Sequence, residues 1–213
     1  MRAVKLDGLR SIDDKYAVRS TKGRIVDTAV HLMSEKGHSG ASLREIAAEV
    51  GINSASIYNH FKSKNEIVLE MLTFYEETQD MFLPNLYTLL EKCKTEDPIK
   101  ILESTNFYYH PAVQETMDRI MVVASMEFRA DEKAKEFIER RLLSLATTYI
   151  KPILTKLIEL ERIEPLDVDG FVILISNYCY SAATRNFSPL MVSMEDWKRG
   201  LQTLYGLVKV TGK

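Results

Sequence analysis

The sequence predicts an all-α fold, with a small three-helix head followed by a larger helical body. Three observations carry this. Apolar residues recur at helical spacing along the chain, and strand-like alternation is absent. Pro84, Pro98, Pro111, Pro165 and Pro189 fall where amphipathic segments start or stop, the places at which a residue without an N–H is tolerated. Residues that cap helix N-termini stand just ahead of the apolar-periodic runs. Together they place helices near 22–36, 43–50, 54–61, 64–82, 85–94, 98–109, 112–130, 132–162, 167–187 and 194–210.

Taken in order, the first twenty residues read as a loosely ordered arm, and the first helix runs from Lys22 to Lys36-Gly37. Ser42 and Glu45 then form an S-x-x-E capping box, opening a helix whose apolar positions are Leu43, Ile46, Ala47 and Val50. Gly51 can leave that helix with positive φ, and Ile52 packs the turn. Asn53 is an N-cap for a short helix from Ser54 to Phe61, and Ser63 and Glu66 form a second capping box at the head of a long helix. In the body, Pro152 lies inside a long helical pattern and should kink or divide it. Asp167 and Ser193 are the expected N-caps of the last two helices.

The run from Ser42 to Ile67 is the outline of a helix-turn-helix, whose second helix enters the DNA major groove. That second helix is too short to be stable alone and carries small polar residues on one side, which suits a probe of base edges better than a core element. The charge distribution agrees. Residues 1–65 hold 11 basic and 7 acidic residues, a net +4, whereas the remainder holds 17 basic and 23 acidic, a net −6. Arg44 can bond guanine O6 and N7, Asn59 can bond adenine N6 and N7, and Ala55 can meet a thymine methyl; Ser54 and Ser56 complete the expected base-reading set. Lys22 and Arg24 at the start of the first helix, and Ser42 at the cap of the second, are expected at phosphates.

Arg24 to Ile67 resembles the DNA-binding domain of the TetR (tetracycline repressor) family of bacterial transcriptional regulators. The resemblance is carried by Arg24-Ile25 through Ala29, Lys36-Gly37, Ser42-Leu43-Arg44-Glu45-Ile46-Ala47, Gly51-Ile52-Asn53, Ile57-Tyr58-x-His60-Phe61 and Lys62-Ser63-Lys64-x-Glu66-Ile67. Met33 stands where the family usually has an aromatic residue, Ser42 where Thr is usual, and Ala55 where Gly is frequent. The resemblance implies an arm at 1–21, a helix-turn-helix DNA-binding domain at 22–66, a connecting helix at 67–84, and an effector-binding and dimerisation domain at 85–213. It also implies backbone contacts at Tyr58, His60 and Lys64, with Lys62 beside them. The implied mechanism is repression: a dimer on a palindromic double-stranded operator, released when a small hydrophobic or amphipathic effector binds each body.

Dimerisation is expected from the last two helices. Trp197, Leu201, Leu204 and Val208 make an apolar stripe on a charged helix, and the preceding helix, with Phe171 and Ile175, is apolar nearly all round. The resemblance implies a four-helix bundle made from these elements. The body is rich in aromatic residues and methionine, the side chains that line adaptable apolar pockets. Phe107, Tyr108, Met117, Met121, Phe128, Tyr149 and Tyr178 are the expected lining. Arg185 at the end of an apolar helix, and Arg119 earlier in the body, are candidates to orient a polar group.

Other classes are disfavoured. His31, His38, His60 and His110 are scattered, and H-E-x-x-H, phosphate-loop, nucleophile-elbow and dinucleotide signatures are absent, so an enzyme is not expected. Cys93 and Cys179 show no metal-ligand spacing, and neither a metal nor another cofactor is expected. The N-terminus has no apolar leader segment, and Phe171 to Ala183 is too short and too interrupted to span a bilayer, so a cytoplasmic protein without membrane contact is expected. The alternative function is a helix-turn-helix regulator governed by a protein partner, or acting as an activator, with no small-molecule pocket.

Overall fold

The computed structural model describes residues 20–105, 111–183 and 194–211. The chain is helical, and among the described residues the only extended pairing is an isolated antiparallel bridge between Ile163 and Val210. The helices are α1 (Thr21–Gly40), α2 (Leu43–Val50), α3 (Ser54–Ile57), α4 (Lys64–Phe82), α5 (Leu86–Lys92), α6 (Pro98–Glu103), α7 (Pro111–Glu127), α8 (Glu132–Leu145), α9 (Lys151–Glu159), α10 (Val168–Ala183) and α11 (Met194–Tyr205). No described helix is long and apolar enough to cross a membrane.

The helices group into two compact units, one of residues 1–80 with 108–138 and one of 81–107 with 139–213. The first therefore contains the expected head and also α7 and the start of α8, which the sequence reading had assigned to the body. Its core is built from one stripe per helix: Ile25, Val26, Ala29, Val30 and Met33 on α1, Ile46 and Ala47 on α2, Ile57 on α3, and Ile67 and Met71 on α4. α1 packs most extensively against α7, which buries Met117, Ile120, Met121 and Ala124. Arg119 of α7 donates from Nη1 to Ser34 Oγ at 2.9 Å and lies 3.5 Å from Glu35. Ser34 is fully buried and its hydroxyl also donates to the His31 carbonyl. Arg119 thus ties α7 to α1 and is not placed to orient an effector. A second polar contact, 3.6 Å between His38 Nδ1 and Glu127 Oε2, joins the ends of the same two helices.

The second unit is held by a core that includes Leu89, Ile101, Tyr149, Ile153, Leu157, Phe171, Ile175, Leu201 and Tyr205. Three of its helices begin on side-chain caps: Asn85 accepts from Thr88 N, Asp97 from Lys100 N with Pro98 in the first turn, and Asp167 from Gly170 N at 2.9 Å. Pro152 divides the long helix as expected. The break takes the form of a π-helical turn at Ala146–Ile150, just before the proline, where the wider turn relieves the clash its ring would make with the preceding carbonyls. After α9 the chain reverses through Glu161 at φ 53°, and Arg162 donates to the carbonyls of Cys93 and Glu96, satisfying the end of α5. α11 stops at Tyr205, short of the expected 210, because residues 209–211 leave the helix to pair with 162–164. The expected Ser193 cap lies outside the described residues.

Gly51 adopts φ 76°, ψ 34° at the C-terminus of α2. A Cβ built there meets nothing within 4 Å, so a side chain has room and the only penalty is torsional. Gly51→Ala is expected to lower stability by about 1 kcal/mol, and Gly51→Asn by less. Urea unfolding followed by far-UV circular dichroism checks the order of the two variants.

Candidate nucleic-acid interface

The helix-turn-helix is assembled from its termini. Ser42 Oγ accepts from Glu45 N at 3.1 Å and starts α2. The box is only half closed, because the Glu45 carboxylate pairs with Lys36 Nζ instead of returning to the Ser42 amide. That contact holds the Glu45 carboxyl below its ordinary range and raises Lys36. At the other end, Gly51 N bonds the Ala47 and Ala48 carbonyls and Ile52 N bonds Ala47 O at 2.9 Å, closing the turn. Arg24 Nη1 reaches Val50 O at 3.1 Å and fixes the same terminus from α1. Asn53 Oδ1 accepts from Ala55 N at 2.9 Å and starts α3.

The α-helical part of α3 ends at Ile57, earlier than the expected Phe61. Tyr58, Asn59 and His60 bond the carbonyls three residues back, at 3.3, 3.2 and 2.8 Å, so the chain tightens into a 3₁₀-like turn. Ile57 and Phe61, 0% and 3% exposed, pin the two ends of this turn to the core. Between them Tyr58, Asn59 and His60 are all exposed, Tyr58 at 60%. Tyr58 is therefore a surface aromatic. At the head of α4, Ser63 Oγ accepts from Glu66 N at 3.3 Å, while Glu66 reaches back to Lys62 N at 2.6 Å.

Of the expected base-reading residues, Arg44, Ser54, Ala55 and Asn59 are exposed and Ser56 is half-buried. Ser42, Tyr58, His60 and Lys62, expected at phosphates, are exposed as well. Beyond the Ser42 cap bond, none of these side chains has a hydrogen-bond or ionic partner among the described residues. The other three expected phosphate ligands are engaged. Lys64 Nζ donates to the carbonyls of His38 and Ala41, the latter at 2.8 Å, so its ammonium satisfies the end of α1 and is not presented outward. Lys22 Nζ pairs with Glu70 at 3.0 Å. Arg24 is exposed but commits one donor to Val50. These long-range partners, Glu70, Val50 and the carbonyls of His38 and Ala41, lie 23 to 48 residues away and leave no local signal.

The expected regulatory residues that are described are shared between the two units. Met117 and Met121 are core residues of the first unit, and Phe128 is half-buried in it. Tyr149 is a core residue of the second unit. Tyr178, in that unit too, lies against Gly200, and its hydroxyl donates to the Trp197 carbonyl at 3.0 Å, stapling α10 to α11. Phe107, Tyr108 and Arg185 lie outside the described residues. The second unit also carries an open groove of about 500 Å³ lined by Leu90, Thr147, Lys151, Pro152, Thr155, Lys156 and Glu159, none of them an expected pocket residue.

The expected dimer stripe is largely buried within a single chain. Phe171, Ile175, Leu201 and Val208 are 2–4% exposed, Trp197 is half-buried against the same core, and Leu204 is half-buried. The apolar residues that α10 turns outward are Ile173 and Leu174, 57% and 54% exposed.

Residues 42–61 form a capped, tightly turned helix-turn-helix with an exposed polar tip. Residues 25–71 match the family described as bacterial regulatory proteins, tetR family. A stretch of 46 residues is 50% identical to IcaR of Staphylococcus aureus strain Newman, a negative transcriptional regulator of the biofilm operon icaADBC; the match covers 22% of this chain and 25% of that protein. A stretch of 54 residues is 39% identical to YerO of Bacillus subtilis strain 168, covering 25% and 19%. The chain thus spans a quarter or less of the curated relatives it matches. The fold extends the likeness over the body. The ketosteroid regulator KstR2 of Mycobacterium tuberculosis superposes with a TM-score of 0.61 at 20% identity, covering 91% of this chain and 97% of that one. A regulator from Saccharomonospora viridis in complex with choline gives 0.62 at 16%, covering 89% and 97%. AibR in complex with isovaleryl coenzyme A and operator DNA gives 0.58 at 14%, covering 87% and 97%. Residues 25–71 thus carry the match to the tetR family of bacterial regulatory proteins, and the chain as a whole shares its fold with these solved structures.

Neither cysteine is placed for redox sensing. Burial pushes the Cys93 thiol up, and burial pushes Cys179 up to about 12. At pH 8 a thiol-specific reagent should label Cys179 in the native protein at least about a hundredfold more slowly than a free cysteine, and Cys93 more slowly as well, because the thiolate is the reacting form. Labelling should become fast in 8 M urea; fast labelling of the native protein would contradict the burial.

Proposed function

We propose that the protein is a dimeric repressor that binds a palindromic double-stranded DNA operator in the bacterial cytoplasm and leaves it when a small hydrophobic or amphipathic effector binds. The single observation that carries the DNA reading is the exposed, internally unpartnered set Arg44, Tyr58, Asn59, His60 and Lys62 around a fixed turn. Arg44, Ser54, Ala55, Ser56 and Asn59 read bases, while Ser42, Tyr58, His60 and Lys62 hold phosphates. The name of IcaR, a negative regulator, supports repression as the sign of the response.

Two-fold symmetry of the site follows from a dimer. We place the dimer contact on the outward face of α10, around Ile173 and Leu174, because two adjacent large aliphatic residues more than half exposed are otherwise left in water. The choline and isovaleryl coenzyme A complexes are of proteins with the same fold, and they support a small-molecule effector here. Such an effector acts only through its differential affinity for the operator-binding and released arrangements; a coupling of about 1–3 kcal/mol is typical.

Selection from a random duplex library tests the function. The wild-type protein should enrich a palindromic consensus, and the Arg44→Ala, Asn59→Ala double variant should fold normally and lose that enrichment; a folded wild-type protein that enriches nothing would sink the reading. The dimer contact is tested separately. Ile173→Glu with Leu174→Glu should convert a dimer to a folded monomer in sedimentation analysis and weaken operator binding by at least about tenfold, whereas an unchanged dimer would place the contact elsewhere.

A further inference from the structure

Lys22 stands in the first turn of α1, and its ammonium lies 5.5 Å from the centroid of the Phe61 ring. Phe61 directly follows the exposed turn of Tyr58, Asn59 and His60, so this cation is held beside the surface assigned to the operator. The same ammonium makes a 3.0 Å ion pair with Glu70 in the second turn of α4. The two side chains are 38% and 23% exposed, so the cation is the more accessible partner. An ion pair at this level of exposure is weak and is screened by salt. A phosphate on DNA offers the ammonium a comparable hydrogen bond and adds the entropy of released counterions. The carboxylate and a phosphate therefore compete for one cation.

We propose that Glu70 is an electrostatic gate on operator binding: it holds the Lys22 ammonium in the free head and withholds it from the DNA backbone. The inference rests on the reading of the head as an operator-binding surface. It deepens that reading by naming a residue, outside the recognition turn, that sets the affinity. The gate lowers affinity without touching sequence preference, because a cation freed to meet a phosphate carries no sequence information. Glu70→Gln keeps the shape of the side chain and removes the competing charge.

The test uses the full chain and the duplex enriched by the selection above. Dissociation constants are measured between 50 and 200 mM KCl for the wild type, Glu70→Gln, Lys22→Gln, the double variant, and Glu91→Gln as a charge control. Glu91 lies on α5 in the second unit, paired with Lys94. Glu70→Gln should bind more tightly at 50 mM. Its plot of log affinity against log salt should steepen by about 0.9 per head, so that the gain shrinks about threefold per head by 200 mM. The double variant should lose both the gain and the extra slope, and Glu91→Gln should change neither. A gain that survives in the Lys22→Gln background would mean a diffuse charge effect and overturn the gate. An unchanged slope in Glu70→Gln, or weaker binding by a variant whose circular dichroism is native, would overturn it as well. A wild-type protein that binds no duplex at 50 mM would instead overturn the operator reading itself.

Discussion

A helix of four residues has almost no intrahelical hydrogen bonds of its own, so Ser54–Ile57 cannot hold its place in water by propensity. Its position is imposed by the turn before it and the anchor after it. Gly51, at φ 76°, closes α2 by giving its amide to Ala47 and Ala48, and Arg24 grips Val50 from the neighbouring helix. Ile57 and Phe61 then fix the far end in the core. Because the amides of Tyr58, Asn59, His60 and Phe61 are all committed to the turn, Tyr58, Asn59 and His60 project from a defined frame. The exposed side chains can therefore be polar and internally unpartnered without costing the head its fold, and the functional surface depends on the glycine turn more than on any contact it makes itself.

The head is also largely neutralised from within. Lys22 faces Glu70, Lys36 faces Glu45, and Lys64 faces two carbonyls. Among the described residues of the head, the cations left to face outward are Arg44, Lys62 and, through its remaining donors, Arg24. Each internal pair is weak at such exposure, yet each sets the orientation of a long side chain that would otherwise sample many rotamers. The pairs thus act less as stabilisers than as a means of choosing which cations face outward.

Much of this architecture was legible in the sequence because it is written in local rules. The caps at Ser42, Asn53 and Asp167, the left-handed exit at Gly51, and the break at Pro152 each depend on residues within one or two turns. The exposed tip was legible for the same reason, since Ile57 and Phe61 mark the buried side and the polar residues between them mark the other. What was not legible depends on partners far along the chain. Lys64 reads as a surface lysine at a helix N-terminus, and only the packing of α1 brings two carbonyls to its ammonium. Arg119 similarly reads as a polar group in a regulatory body, while the fold binds it to the buried Ser34.

The last two helices show why periodicity alone could not assign a dimer surface. α11 has one apolar stripe, and a stripe says only that something covers it; here its own unit does, with Leu201 and Val208 almost fully buried. α10 is apolar nearly all round, so it has more apolar surface than one core can cover. Phe171, Val172 and Ile175 turn inward, and the 100° step between residues then carries Ile173 and Leu174 to the opposite side. A helix whose inner face is already satisfied, and which still carries two exposed aliphatic residues, has a hydrophobic term left to gain by association. Burying side chains of this size is worth roughly 1.5–3 kcal/mol each, and in a two-fold interface every such residue is counted twice. The outward pair on α10 therefore carries the case for self-association, where the more conspicuous stripe on α11 carries only the case for a well-packed subunit.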